Sequence, residues 1–277
     1  MRNLFKHLLA AAVVGVLSTN LFAATTIVYS NNPAPGDNVT SPGIGSPVAV
    51  GTSGWIYNNV RYNGHVGIRT DLPRSGNGSV WFKGTQGPSH PSSKADIEYW
   101  PASPLGTLND LNLLSYEWYR KKGSGSSYTA HAHYHPVLRI WLSNDTGTTK
   151  GYLVFERAYN APWYTSAVPT DTWVGDSITD STVLWSTGSL PDALAVYNRT
   201  LSQWKSLIGD YKVYRISAGI GSGWGTFEGA VDNISYRFGS GPIVTTNFEV
   251  VPEPTTMALF GLGLLGAAGG LLRRKSA

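Results

Sequence analysis

Short runs in which apolar or β-branched residues alternate with polar ones recur through the middle of this chain, and clusters of Gly, Pro, Asn and Ser cut them off. A period of two places successive side chains on opposite faces of a strand. The runs are Ile27–Ser30, Ser79–Lys83, Ala95–Trp100, Leu113–Lys121, Val137–Ser143, Tyr152–Arg157, Thr182–Ser186, Val213–Ile220, Phe227–Arg237 and Thr245–Val250. Many short strands at this spacing specify a mainly β chain folded as an antiparallel β-sandwich. One stretch changes period. Leu194, Tyr197, Leu201, Trp204 and Leu207 or Ile208 follow helical spacing, with Pro191 near the start and Gly209 at the end. That predicts one short amphipathic helix lying across the sandwich edge or under a loop. Lys121–Ser127 reads as a flexible hairpin tip joining two of the longest strands, and Asn31–Pro47 as an exposed loop.

The ends carry a different grammar. Arg2 and Lys6 precede an apolar stretch from Leu8 to Leu17, with small residues following at Ala23 and Ala24. A basic start, an apolar core and a small-residue cut site make residues 1–23 a secretory signal peptide, cleaved after Ala23 or Ala24. At the other end, an apolar run from Met257 to Leu272 spans about 24 Å as a helix. That falls short of a hydrocarbon core of about 30 Å, and five glycines weaken it further. Arg273, Arg274 and Lys275 follow directly, which keeps that end in the cytoplasm. Prolines on both sides of Glu253 hold the preceding segment extended. The domain expectation is a sandwich over 24–250 and a sorting segment over 251–277, with a short linker before it.

The order Val251-Pro252-Glu253-Pro254, short hydrophobic span, then Arg273-Arg274-Lys275 resembles the PEP-CTERM sorting signal. The resemblance implies a substrate of exosortase, a membrane-embedded transpeptidase-like protease of exopolysaccharide-producing Gram-negative bacteria. It also implies transient inner-membrane anchoring, with signal peptidase and exosortase as partners during export and with Pro252, Glu253, Pro254 and the three basic residues as the recognised motif. Release to the cell surface or extracellular matrix would follow C-terminal processing. A second resemblance lies in Gly219–Tyr236, "GIGSGWGTFEGAVDNISY", which is similar to the closing strands of concanavalin A-like and carbohydrate-binding jelly rolls.

Charge sharpens what is excluded. Of 21 Lys and Arg, five lie in the removable ends, as does one of 17 Asp and Glu, leaving 16 of each sign. A neutral central domain gives no reason to expect nucleic acid as a partner. With no cysteine, disulfides, thiolate nucleophiles and Cys-ligated zinc are excluded. About 230 residues suffice for a core without such staples.

Three constellations could carry chemistry. His131, His133 and His135 alternate, so on a strand they share a face, and a His-x-His pair can chelate a transition metal. No carboxylate stands beside them, and Pro136 limits any strand there to an edge or bulge. Lys94, Asp96 and Glu98 alternate like the carboxylate triplet of sandwich glycosidases, but lysine occupies the first position and cannot attack an anomeric carbon. The alternative is a half-exposed strand with a wet polar face. Asp232 and Asn233 could help hold a structural calcium, which needs six to eight oxygens, more than two neighbouring residues supply. No other cofactor is expected.

Aromatic content is the remaining clue, at 10 Trp and 15 Tyr. Several sit in polar stretches, notably Trp163, Tyr164, Trp173 and Trp224. Trp141 shares strand parity with Arg139, His135 and His133. Half or more of these rings belong to packing; Trp141, Arg139, Trp163, Tyr164 and Trp224 are the candidates for a carbohydrate-binding face. The favoured function is a non-catalytic surface or matrix protein binding exopolysaccharide. A structural matrix protein without ligand and a divergent glycosidase or lyase remain as alternatives.

Overall fold

The computed structural model describes residues 23–84, 93–123, 131–191, 197–222 and 224–253. Strands are numbered in chain order and fall into two sheets. The first holds β1 (Ala24–Pro33), β2 (Val39–Thr40), β5 (His65–Arg69), β6 (Ser79–Gly84), β9 (Leu111–Arg120), β12 (Trp173–Ser177), β15 (Phe227–Phe238) and β16 (Val244–Val251). The second holds β3 (Val48–Ala49), β4 (Trp55–Arg61), β7 (Lys94–Tyr99), β8 (Gly106–Thr107), β10 (Val137–Ser143), β11 (Lys150–Phe155), β13 (Leu184–Ser186) and β14 (Lys212–Ile220). In the second sheet the order runs β13-β11-β10-β14-β7-β4-β3. Among the described pairings, β1 with β16 is parallel and the others are antiparallel.

The inward sets of the two sheets make the core. Tyr57, Ile97, Ile140 and Ile216 from the second sheet and Phe82, Tyr116, Trp118 and Phe248 from the first are at most 1 % exposed. Rings bridge the layers: Trp55 meets Phe248 edge to face at 4.9 Å, and Tyr116 meets Phe155 at 6.3 Å. Each fully buried side chain of this size contributes about 1.5–3 kcal/mol relative to exposure.

All ten expected strands form, with ends within three residues of the predicted ones. The others escaped pattern reading for local reasons. Asn58, Asn59, Asn63 and Gly64 read as turn residues, yet β4 carries Asn59 at a positive φ of 53° within a register shift. In β5, Gly67 is required because a Cβ there would collide with the Asp37 carbonyl.

Four expectations are corrected. Asn31–Pro47 is not simply an exposed loop. Strand β1 runs through Pro33, and buried Asp37 pins the segment by accepting from Asn31 N, Asn32 N and the Tyr57 hydroxyl. The residues after Lys121 do not close a hairpin, because β9 and β10 lie in different sheets; residues 124–130 themselves are outside the described set. The helix is shorter than its pattern: α1 covers Leu201–Ile208, Leu194 falls outside the described residues, and Tyr197 and Leu207 are exposed. A capping box starts it, with Thr200 and Gln203 bonding each other's backbone N–H, and Trp204 fastens it to β13 through a 2.8 Å bond to the Leu184 carbonyl. Finally, no linker precedes the sorting segment. Val251 is still in β16, paired with Pro33 and donating its N–H to Ser30 Oγ at 3.0 Å.

The expected signal peptide and the C-terminal hydrophobic helix fall on residues outside the described set. Among the described residues, no helix is long and apolar enough to cross a membrane.

Candidate functional site

The face of the second sheet turned away from the core gathers its site by strand alternation and register. One row crosses the sheet as Trp185, Val154, Arg139, Ser217, Glu98 and Ile56; the next runs Tyr152, Trp141, Arg215. A register shift between Trp141 and Leu142, opposite Arg215 and Val213, leaves Tyr214 as an extra residue. Such a bulge re-aims side chains, and here Tyr214 and Arg215 are both half-buried on this face.

The outcome is a stacked platform. The Arg215 guanidinium lies 3.9 Å from the Trp100 ring centre and 5.1 Å from that of Trp141, and Trp141 meets Tyr214 at 5.6 Å. Cation–π contact on two indoles holds the guanidinium in place. Below it Glu98, 1 % exposed, accepts from the Trp100 indole at 2.7 Å and the Tyr152 hydroxyl at 3.0 Å. A cavity of about 490 Å³ lies over the platform and is edged by Asn144 and Asp145 of the β10–β11 turn.

Beside it a second cavity, about 270 Å³, is lined by Asn59, Lys94, Asp96, Arg139, Tyr152, Glu156 and Trp185 among others. Asp96 is held by Arg139 at 2.7 Å, Lys94 at 2.8 Å and Asn59 at 3.0 Å. Burial raises the Asp96 pKa, but Arg139 and Lys94 outweigh it and hold the carboxyl below its usual range. Burial lowers Lys94 to about 8. Burial also pushes Glu156 up to about 7, against the smaller opposing pull of Arg139. Lys94, Asp96 and Glu98 do share one face as the alternation implied. That face is not wet: Asp96 and Glu98 are 2 % and 1 % exposed.

The other expected residues disperse. Arg139 and Trp141 join this face. Trp163 and Tyr164 line a separate cavity of about 560 Å³, where the Arg157 guanidinium sits 4.2 Å from the Trp163 ring. Trp224, 7 % exposed, is a packing residue against Tyr134 at 4.8 Å and Phe227 at 5.2 Å. His131 to Pro136 form no strand, so the histidines share no face. His131 stacks on His133, while buried His135 accepts the Arg157 N–H through Nε2 at 3.0 Å. Asp232 lies elsewhere, at the fork where β15 leaves β6 for β16. Its Oδ1 accepts from Phe248 N and Asn233 N, and Oδ2 is buried without a partner. The Asn233 amide donates to Ser75 and Glu117. Among the described residues no group of three or more His, Asp or Glu could hold a metal ion.

Trp100, Tyr214, Arg215, Glu156 and Trp185 were not anticipated. The parity of Asp96, Glu98 and Trp100 was the available signal for the first; the bulge that exposes Tyr214 leaves no mark in the sequence.

Residues 250–275 match the PEP-CTERM protein-sorting motif, which marks export and exosortase-dependent sorting to the cell surface or extracellular space. Pro252 and Glu253 of that motif follow β16 directly, while Pro254, Arg273, Arg274 and Lys275 lie outside the described residues. Among solved structures, the chain is similar to a family 11 carbohydrate-binding module from Clostridium thermocellum in complex with a β-1,3-1,4-mixed-linked tetrasaccharide. The identity is 12 %, the match covers 69 % of this chain and 92 % of that one, and the TM-score is 0.40. It is also similar to a thermostable Cel12A cellulase derived from that of Rhodothermus marinus, at 12 % identity, 70 % and 98 % coverage and a TM-score of 0.34. Likenesses of this size say nothing of what this chain binds. No curated protein matches it.

Proposed function

We propose that this chain is a non-catalytic polysaccharide-binding protein of the cell surface or extracellular matrix. Signal peptidase removes its N-terminal segment, and its C-terminal segment anchors it in the inner membrane until exosortase processes it. The observation that supports binding is the Trp100–Arg215–Trp141–Tyr214 platform. Aromatic faces with a few fixed polar groups are the usual make-up of a small-molecule or sugar site. Here the C–H faces of sugar rings stack on the indoles, while Arg215, Asn144 and Asp145 take hydroxyls. The carboxylates of β7 favour binding over hydrolysis, because Asp96 is held by three donors and Glu98 by two.

The test is retention of the full chain, in non-ionic detergent, on the producer's exopolysaccharide and a panel of glycans. Trp100→Ala and Trp141→Ala should each weaken retention about tenfold, the equivalent of roughly 1.4 kcal/mol. Retention on no polymer would leave a structural matrix protein, and release of new reducing ends would overturn the non-catalytic reading. For sorting, Glu253→Gln should leave the protein in the inner-membrane fraction; wild-type release would refute the assignment of Glu253.

A further inference from the structure

The 270 Å³ cavity beside the platform has a chemistry of its own. Trp185 is one of its lining residues, and its indole N–H is buried with no partner in hydrogen-bond geometry. The Glu156 carboxyl lies within the indole's reach, and donation from the indole holds its pKa down against burial, but the contact falls short of full hydrogen-bond geometry. The Ser217 hydroxyl, next to Arg139 in the ladder, also lacks a partner. Buried polar groups in native proteins are nearly always satisfied, so each exception calls for a reason. An indole nitrogen only donates; beyond the poorly aligned Glu156 carboxyl, Trp185 is short of an acceptor.

Charge points the same way. Lys94 and Arg139 converge on the single carboxylate of Asp96, and Arg61 lies opposite Lys94 in the β4–β7 ladder. Glu98, close by, is matched by Arg215 at 3.8 Å. With Glu156 protonated, the cavity is donor-rich and carries excess positive charge. Its volume equals about nine waters at ~30 Å³ each, the room of one sugar ring.

We infer that this cavity is the subsite for an acidic sugar, a hexuronate or similarly carboxylated unit of the polysaccharide, whose carboxylate meets Arg139, Lys94 and the Trp185 N–H. The inference rests on the reading that the outer face of the second sheet binds polysaccharide. A neutral sugar satisfies the indole but not the excess charge; a carboxylate satisfies both.

The same geometry makes recognition pH-dependent. The charged and titratable groups around Glu156 are Lys94 and Asp96 from β7, Arg139 from β10 and Tyr152 from β11, with Tyr116 of β9, Tyr134, Tyr159 and Trp185 of β13 beside them. Below about pH 7 the Glu156 carboxyl is neutral and donates. Above it, a new negative charge faces the ligand carboxylate, and Lys94 is itself half deprotonated by about 8. Tyr152 is raised out of this range by burial.

The test is affinity electrophoresis of the full chain in non-ionic detergent, with polygalacturonate and alginate as acidic polymers and mixed-linked β-glucan and agarose as neutral ones. At pH 6 the acidic polymers should retard the protein, and Trp185→Phe, which removes only the indole N–H, should weaken that about tenfold. At pH 8 the wild type should be retarded less than at pH 6, while Glu156→Gln should lose less, its remaining loss coming from Lys94. Retardation by neutral polymers alone would overturn the acidic subsite and leave polysaccharide binding standing. Retardation by none would remove both. Retardation by acidic polymers that neither Trp185→Phe nor Glu156→Gln alters would place the binding elsewhere and overturn the subsite. Should Trp185→Phe fail to fold, the pH profile of Glu156→Gln decides alone.

Discussion

His135 should make the sandwich sensitive to acid in a way that one substitution removes. Its ring is 1 % exposed, lies 4.6 Å from the Trp118 ring and stacks on it. Nε2 accepts the Arg157 N–H at 3.0 Å, and Nδ1 lies 2.9 Å from the Pro136 carbonyl. That arrangement fits the neutral tautomer with its proton on Nδ1, and protonating Nε2 would set two donors against each other. Burial pushes the imidazole down to about 4, against the opposing pull of Asp176. The folded-state value therefore lies below the unfolded one near 6.5. As pH falls through 6.5 the unfolded chain takes up a proton that the native chain refuses, so stability declines until native His135 itself titrates near 4. Between pH 7.5 and 4.5 the loss is about 2.5 kcal/mol, since each pH unit below 6.5 costs ~1.36 kcal/mol while the native ring stays neutral. Glu156 and Asp232, both raised to about 7 by burial, act oppositely: their contribution is full in acid and is lost as pH rises through 7. The wild-type profile mixes these effects, and the difference from His135→Gln isolates the histidine. Urea unfolding followed by tryptophan fluorescence measures it. At pH 7.5 the wild type should be the more stable, and at pH 4.5 its advantage should be smaller by about 2.5 kcal/mol. A gap that stays constant between the two pH values would refute the linkage.

Asp176→Ala should be among the most destabilising changes. It strands the buried Arg157 guanidinium, which grips Asp176 through Nε and Nη2, and frees the Trp118 indole N–H now bonded at 2.7 Å. Breaking a buried pair in this way costs about 3–5 kcal/mol, readable as a fall in Tm; a change under about 1 kcal/mol would contradict the geometry. Thr200→Ala removes half of the capping box on α1 and should cost about 1 kcal/mol in urea unfolding. Gly67→Ala should destabilise the β2–β5 edge, because the new Cβ meets the Asp37 carbonyl; an unchanged unfolding midpoint would show that the edge yields.

Much of the architecture was legible because alternation is a local property. Ten strands, the parity of Lys94 with Asp96 and Glu98, and that of Arg139 with Trp141 follow from neighbours two residues apart, and the helix announced itself through Leu201, Trp204 and Ile208. Strands such as β4 and β12 stayed hidden because Asn59 and Gly175 break the pattern locally while distant partners hold them in place.

The amino-acid order alone determined a cysteine-free, near-neutral, mainly β chain ending in a sorting motif, since charge, composition and the Pro-Glu-Pro segment need no fold to be read. Tertiary structure decided what the aromatic and charged side chains do. It set β14 between β10 and β7, which brings Arg215 between Trp100 and Trp141, and it sent Trp224 into the core and Trp163 to another cavity. It also buried Asp96 and Glu98 together with Arg139. The physical reason is that strand order, register and bulges arise from contacts between residues far apart in the chain, and only those contacts decide which side chains share a face and which lose their water.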